Sequence, residues 1–334
     1  MSVSLPASVV VTWPGFETSG TPQADALTSA GLRIEVAPKL GERRPQDVVP
    51  IMRDAVAAIV STDPFDRFVL EACRNLLVIA RVGVGTDSID LAAATELGVI
   101  VTTTPGANER EVADHTMALM LAALRRVVEH DASVRRGDWE RAGALTPTRL
   151  HGAVVGLIGY GTIGREVGKR LTGFDTTLLI YDPVTSPGDG YEVVALEELL
   201  ERSDVITLHM PLGDKTRGMI GVSEFARMRD GAILVNTARG GVVDEDAMVD
   251  ALVSGKLGGA GLDVFAVEPP VASPLLEMPN VVLSPHIGGL SRASMAEMTQ
   301  RAAESVVDVI AGRVPAGAIN PEAAVAGRRA HDRR

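Results

Sequence analysis

The 334-residue chain has one cysteine, Cys73, and that scarcity excludes an internal disulfide framework and suits a reducing compartment. Cys73 falls in a helical pattern and reads as a packing residue. Aromatics are sparse while Ala, Val, Leu and Gly dominate, the balance expected of an α/β protein built on buried aliphatic strands. Positive charge is in deficit. The formal net charge of -11 argues against a nucleic-acid surface and favours solubility. No apolar run is long enough to span a bilayer, and the N-terminus lacks a basic region followed by an apolar core. A cytoplasmic location is therefore expected. No His/Cys/Asp/Glu cluster has metal-site spacing, and His115, His130, His151 and His209 read as helix or turn residues. The basic tail Arg328–Arg334 reads as a solvated end.

What is present begins between Gly152 and Asp182. The apolar run Ala153–Ile158 predicts a buried parallel strand, and Gly159, Gly161 and Gly164 follow it at G-x-G-x-x-G spacing. The first glycine permits the tight turn, the second lets backbone approach a pyrophosphate, and the third lets the next helix pack against the strand. That helix, Ile163–Leu171, would point its positive end at the phosphates. A second strand, Thr177–Tyr181, ends at Asp182, about 20 residues on, where an acid meets a ribose 2′-hydroxyl. An acid there repels a 2′-phosphate, and no arginine follows it, so NAD is expected over NADP.

The length suggests about two domains. Strands at Ser8–Thr12, Arg33–Ala37, Ala57–Ser61, Leu77–Ala80 and Val99–Val101 alternate with helical stretches, which predicts a first parallel-sheet unit over about residues 1–103. Glu109–Arg126 predicts a long helix crossing between units. A second unit, from about Val112 to Gly288, has expected strands at Ala153–Ile158, Thr177–Tyr181, Val205–Leu208, Ala232–Val235, Ala260–Val264 and Val281–Leu283. That spacing predicts a doubly wound dinucleotide-binding sheet. Ser291–Ala311 predicts a further amphipathic helix.

Ligands of such sheets lie beyond the carboxyl ends of the strands. Three residues fall there: Arg239, Glu268 and His286. Singly, each has an ordinary reading as a surface cation, a loop acid before Pro269-Pro270, or a turn-capping imidazole. Together they can run hydride chemistry at a carbonyl. Arg239 can grip a carboxylate in a fork and polarise the adjacent carbonyl. His286 can deliver a proton to a forming alkoxide, and Glu268 beside it would favour the charged imidazole.

N-T-A-R-G-G-V-V-D-E at Asn236–Glu245, G-L-D-V-F-A-V-E-P at Gly261–Pro269 and S-P-H-I-G-G at Ser284–Gly289 resemble the D-isomer-specific 2-hydroxyacid dehydrogenase family. R-V-G-V-G-T-D-S-I-D at Arg81–Asp90 resembles a substrate-domain loop of its D-3-phosphoglycerate dehydrogenase branch. The resemblance covers about residues 50–320. It implies an α/β fold of two doubly wound parallel-sheet domains, a Rossmann-type cofactor domain (105–290) inserted in a flavodoxin-like substrate domain (1–104 and 291–334). It makes Arg239, Glu268 and His286 the catalytic trio. Backbone around Val84 and Gly85 would bind a substrate carboxylate, with Asn108 nearby. Thr162, Ile163, Asp182, Pro211, Thr237, Ala238, Asp263, Gly288 and Gly289 would touch NAD, with Asp263 anchoring the carboxamide. Family members usually dimerise through the cofactor domain, so a homodimer is expected, with a small 2-hydroxy or 2-oxo acid as partner.

Arg81 matches an arginine that contacts substrate in phosphoglycerate-oxidising relatives. Those relatives supply another from the end of an earlier strand, where this chain reads Ser61-Thr62-Asp63. Asp63 would repel a phosphate, with Arg43 or Arg44 as conceivable substitutes, so glyoxylate and hydroxypyruvate stand beside 3-phosphoglycerate. His115 sits where it could influence substrate choice. Transcriptional corepressors also resemble the family, which leaves a non-catalytic, NAD-responsive binding protein as the alternative. Formate dehydrogenases of the family carry Gln where Glu268 stands.

Overall fold

A computed structural model describes residues 7–326 apart from 40, 42, 140, 142, 144 and 145, so the basic tail at Arg328–Arg334 lies outside the described residues. The chain divides into two compact units, Met1–Asn108 with Ser291–Arg334, and Glu109–Leu290.

The first unit is built on β1 (Ser8–Val11), β2 (Arg33–Val36), β3 (Ala57–Val60), β4 (Val78–Arg81) and β5 (Ile100–Thr102). They form a parallel sheet in the order β2-β1-β3-β4-β5. The four inner and far-edge strands are buried along their whole length, as parallel strands covered on both faces must be. Edge strand β2 instead carries Arg33 and Glu35, paired at 2.6 Å, and charge of this kind discourages edge-to-edge association. Helix Arg292–Ile310 lays Met298, Ala302, Ala303 and Val306 on one face of this sheet, against Val9, Val11, Ile59 and Ala80. Helices Pro45–Met52, Arg67–Ala72 and Leu91–Glu96 cover the other face, where Cys73 is buried at a helix end.

Asn320 pins the returning C-terminal segment to β5. It is 3% exposed; its Oδ1 accepts from the Val101 amide at 2.7 Å, and its Nδ2 donates to Thr95 Oγ1 and the Val99 carbonyl at 3.0 Å each. Asn320→Ala strands a buried amide and a buried carbonyl. It is expected to lower stability by about 2–3 kcal/mol in urea denaturation. A loss below about 0.5 kcal/mol, the size of an ordinary surface change, would mean that water replaces the amide.

The second unit holds β6 (Val154–Ile158), β7 (Thr177–Tyr181), β8 (Glu192–Val193), β9 (Val205–Leu208), β10 (Ala232–Asn236), β11 (Leu257–Leu262) and β12 (Val281–Leu283). Their order is β12-β11-β10-β9-β6-β7-β8, all parallel, so the winding reverses between β6 and β9. That reversal is where open α/β sheets bind ligands. Helix Glu109–Arg125 lies wholly in this unit rather than crossing out of it, with Met117, Met120 and Leu124 packed among Val155, Leu157 and Val235. Arg126 takes φ 50 and ends that helix, and a second helix follows at Val127–Arg135. The sequence does not announce this second helix because it buries no residue, so it has no apolar stripe to detect. No helix among the described residues is long and apolar enough to cross a membrane.

Candidate active site

The glycine turn after β6 is shaped by what a side chain would strike. Gly159 has φ +92, and a Cβ there would lie 2.7 Å from the His209 carbonyl oxygen; at Gly164 it would lie 2.4 Å from the Gly159 oxygen. Gly161 differs, because its Cβ position meets nothing within 4 Å. It opens helix Thr162–Leu171, whose N-terminus receives no side-chain cap. Amides at a helix N-terminus, beside an open backbone, suit a pyrophosphate.

Asp182 ties this turn to the end of β7. Its Oδ2 accepts from the Tyr160 amide at 2.8 Å, and its Oδ1 from the Val184 and Thr185 amides at 2.9 and 3.0 Å. Burial opposes its ionisation, but these amides outweigh it and hold the carboxyl below its usual range. A carboxylate has about four acceptor positions. Oδ2 takes one of these three amides and Oδ1 two, so a ribose hydroxyl could donate to Oδ2. These residues fit the adenosine end of NAD. Across the sheet reversal, burial pulls the His209 imidazole down to about 3, so it is neutral; its Nε2 lies 3.0 Å from Thr207 Oγ1. Pro211 follows, exposed, with its carbonyl accepting from Thr216 Oγ1 at 2.7 Å.

The ends of β10, β11 and β12 bring three side chains into one region. Past β10, buried Asn236 shapes the turn by accepting from the Ala238 amide at 3.0 Å and donating to the Arg239 carbonyl at 2.9 Å. Arg239 is half-buried, with Nη1 donating to the Ala238 carbonyl at 2.6 Å. At Gly240 a Cβ would fall 1.9 Å from the Phe265 carbonyl carbon, so only glycine lets this turn lie against the segment after β11. From that segment, Glu268 Oε1 accepts from the Phe265 amide at 3.1 Å and Oε2 meets His286 Nδ1 at 2.8 Å. Burial favours the neutral acid, but His286, the Phe265 amide and the Arg239 charge hold Glu268 below the usual carboxylate range. An ionised Glu268 only accepts, so His286 Nδ1 carries the proton and Nε2 is left to act outward.

Asp263 sits beneath this pair, 1% exposed. Its Oδ1 accepts from Ser284 Oγ at 2.6 Å and the Ile287 amide at 2.9 Å, and its Oδ2 from the Gly288 amide at 2.8 Å. Thr237 Oγ1 lies 2.8 Å from Thr116 Oγ1, which itself donates to the Val112 carbonyl, so the Thr237 hydroxyl is committed to Thr116. Asn236 and Ser284 organise these turns, although sequence reading gave them no role. Both stood inside the motifs, beside residues with more obvious chemistry.

The remaining expected site residues belong to the first unit. Arg81 ends β4, buried, with Nη1 on the Val82 carbonyl at 2.8 Å. Gly83 donates to Thr104 Oγ1 at 3.1 Å, and exposed Val84 and half-buried Gly85 follow. Asn108 is the last residue before the unit boundary. Asp63 corrects one expectation. It is fully buried rather than offered to a ligand, accepting from Thr12 Oγ1 at 2.5 Å and from Arg43 Nη1 at 2.8 Å. Arg43 Nη2 donates to the Ala37 and Pro38 carbonyls at 2.9 Å.

Residues 117–288 match the family described as D-isomer specific 2-hydroxyacid dehydrogenase, NAD binding domain. The chain is 39% identical over 301 residues to D-3-phosphoglycerate dehydrogenase of Archaeoglobus fulgidus, covering 89% of this chain and 56% of that one. It thus spans little more than half of that relative. Glyoxylate reductase of Korarchaeum cryptofilum is 42% identical over 277 residues, covering 80% of this chain and 83% of its own. D-lactate dehydrogenase of Aquifex aeolicus, solved with NAD and lactic acid, superposes with a TM-score of 0.83 at 28% identity, over 94% of this chain and 99% of that one. The family match takes in just over half of the chain and contains Arg239, Glu268 and His286. Fold and sequence agree, and this chain belongs to the D-isomer specific 2-hydroxyacid dehydrogenase family.

Proposed function

We propose that the chain is an NAD-dependent oxidoreductase interconverting a D-2-hydroxy acid and its 2-oxo acid. The observation that carries this is the Glu268–His286 pair at 2.8 Å, joined at the strand ends to Arg239. Arg239 grips the substrate carboxylate and polarises the adjacent carbonyl. His286 Nε2 gives its proton to the forming alkoxide, and the negative charge of Glu268 stabilises the imidazolium that this requires. Bound NADH supplies the hydride, and NAD+ takes it back in the oxidative direction. Gly159, Gly161, Thr162, Ile163, Gly164 and Asp182 hold the phosphate and adenosine end. Pro211, Thr237, Ala238, Asp263, Gly288 and Gly289 hold the rest, Thr237 through its backbone. Residues 105–290 form the NAD-binding domain. Residues 1–104 with 291–334 form the substrate domain; Arg81, Val84 and Gly85 within it, and Asn108 just beyond that bound, bind the acid.

Two observations favour an unphosphorylated acid such as glyoxylate or hydroxypyruvate over 3-phosphoglycerate. Asp63 neutralises Arg43, one of the two conceivable substitutes for the missing arginine, and Arg81 Nη1 is turned onto the Val82 carbonyl. The test compares NADH oxidation with glyoxylate, hydroxypyruvate and 3-phosphohydroxypyruvate. Preference for an unphosphorylated acid is expected. Preference for the phosphorylated acid would overturn the substrate reading, and no turnover on any of them would favour an NAD-responsive binding protein.

A homodimer through the NAD-binding domain is part of the proposal. Val127, Val128, Val134 and Trp139 are 52%, 52%, 54% and 79% exposed in that unit, an apolar surface of the kind that a second copy covers. A reducing, cytoplasmic location suits the buried Cys73.

A further inference from the structure

His286 is the one catalytic candidate whose backbone is strained. Its φ of 54 lies in the left-handed region, which a side chain of this size adopts only when its surroundings impose it. The imposing group is Asp263. Its carbonyl accepts from the His286 amide at 2.9 Å, and its carboxylate accepts from the Ile287 and Gly288 amides that follow. Gly288 leaves no slack, since a Cβ there would lie 2.8 Å from Asp263 Oδ2. The carboxylate is in turn held by Ser284 Oγ at 2.6 Å, and Ser284 Oγ meets His115 Nε2 at 2.7 Å.

The ionised state of Asp263 sets the direction of these hydrogen bonds. Burial favours a neutral Asp263, but His115, Ser284 and the two amides outweigh it and hold its carboxyl below the usual range. An ionised Asp263 only accepts, so the single Ser284 hydroxyl proton points to Oδ1. Ser284 Oγ at 2.7 Å is then the nearer acceptor for His115, whose Nε2 also lies 3.4 Å from Asp263 Oδ1, and Nε2 of His115 carries a proton. His115 comes from helix Glu109–Arg125, which packs against β10, β11 and β12. A rigid element thereby reaches the catalytic turn through two side chains.

We propose that His115 is a positioning residue: by donating to Ser284 it orients the Ser284 hydroxyl onto Asp263, and so fixes the turn that presents His286. The inference rests on the dehydrogenase reading for its kinetic consequences, though not for its geometry. The test is a double-mutant cycle of His115→Leu and Ser284→Ala, with His115→Gln as the variant that keeps a donor. Expected is a fall in kcat of about tenfold for each single variant, and a double variant no worse than Ser284→Ala alone. His115→Gln should recover most of the loss, which a mere packing role would not allow. Additive losses, a wild-type kcat in His115→Leu, or no recovery with Gln would each overturn the proposal. If the wild-type chain turns over no 2-oxo acid, the dehydrogenase reading fails by itself. The same cycle is then read as hydrogen exchange of the Ile287 and Gly288 amides. Faster exchange in both single variants, and no faster in the double, supports the proposal; unchanged protection overturns it.

Discussion

Arg239→Ala is expected to lower kcat/KM for the 2-oxo acid by about 10³-fold or more while leaving NADH affinity within about threefold. Removing a single preorganised donor facing developing negative charge costs about 10²–10³ in rate. Polarising the carbonyl is such a task, and gripping the carboxylate adds lost substrate binding to kcat/KM, so the loss should reach the upper end. Its placement explains why cofactor binding should survive. The turn that carries it is set by backbone contacts that the variant keeps: Asn236 bonds the Ala238 amide and the Arg239 carbonyl at 3.0 and 2.9 Å, and Gly240 lies against Phe265. Arg239→Lys preserves charge and loses the planar fork, so it should fall between wild type and Ala. Steady-state kinetics with a fluorescence titration of NADH separate the two effects. Wild-type turnover in the Ala variant would remove Arg239 from the site and leave Glu268 and His286 to carry the chemistry.

The legible parts of this chain were those whose chemistry is local. A tight turn and a helix packed close on a strand each require glycine, so Gly159 and Gly164 announce the turn after β6 in the sequence itself. Aliphatic strands buried on both faces declared themselves by composition, and most lie within a residue or two of their expected bounds. The first strand residues of β11 were missed because Leu257-Gly258-Gly259 lacks the branched side chains that mark a strand. Long-range polar contacts were illegible for another reason. Asp63 looked like a bare acid at a strand end because Thr12 and Arg43, 51 and 20 residues away, join it only in three dimensions. His115 and Ser284 are 169 residues apart, and no spacing rule connects them.

His286→Gln should lower kcat by about 10²–10⁴, the range of general acid–base catalysis, and should also change its partner. In the wild-type chain burial pushes Glu268 towards the neutral acid, and the His286 contact is foremost among the influences that reverse this. Glutamine can retain a hydrogen bond but not the charge. Burial then weighs more heavily, and the Glu268 pKa is expected to rise, measurable by a carbon NMR titration of the carboxyl. The sign carries over to stability. A carboxyl depressed in the folded state stabilises it above the unfolded pKa, and that contribution is lost as pH falls through the folded value. Wild type should therefore lose part of its stability on acidification that His286→Gln has already lost. The amount should be small, because both side chains are more than a third exposed (37% for His286 and 36% for Glu268) and solvent screens the pair. Turnover should be far more sensitive than stability, because it needs the Nδ1–H of His286 held by Glu268 so that Nε2 faces the substrate. A Glu268 titration unmoved by the substitution would show that the Phe265 amide and Arg239 suffice to ionise it. Glu268 would then orient His286 without being tuned by it.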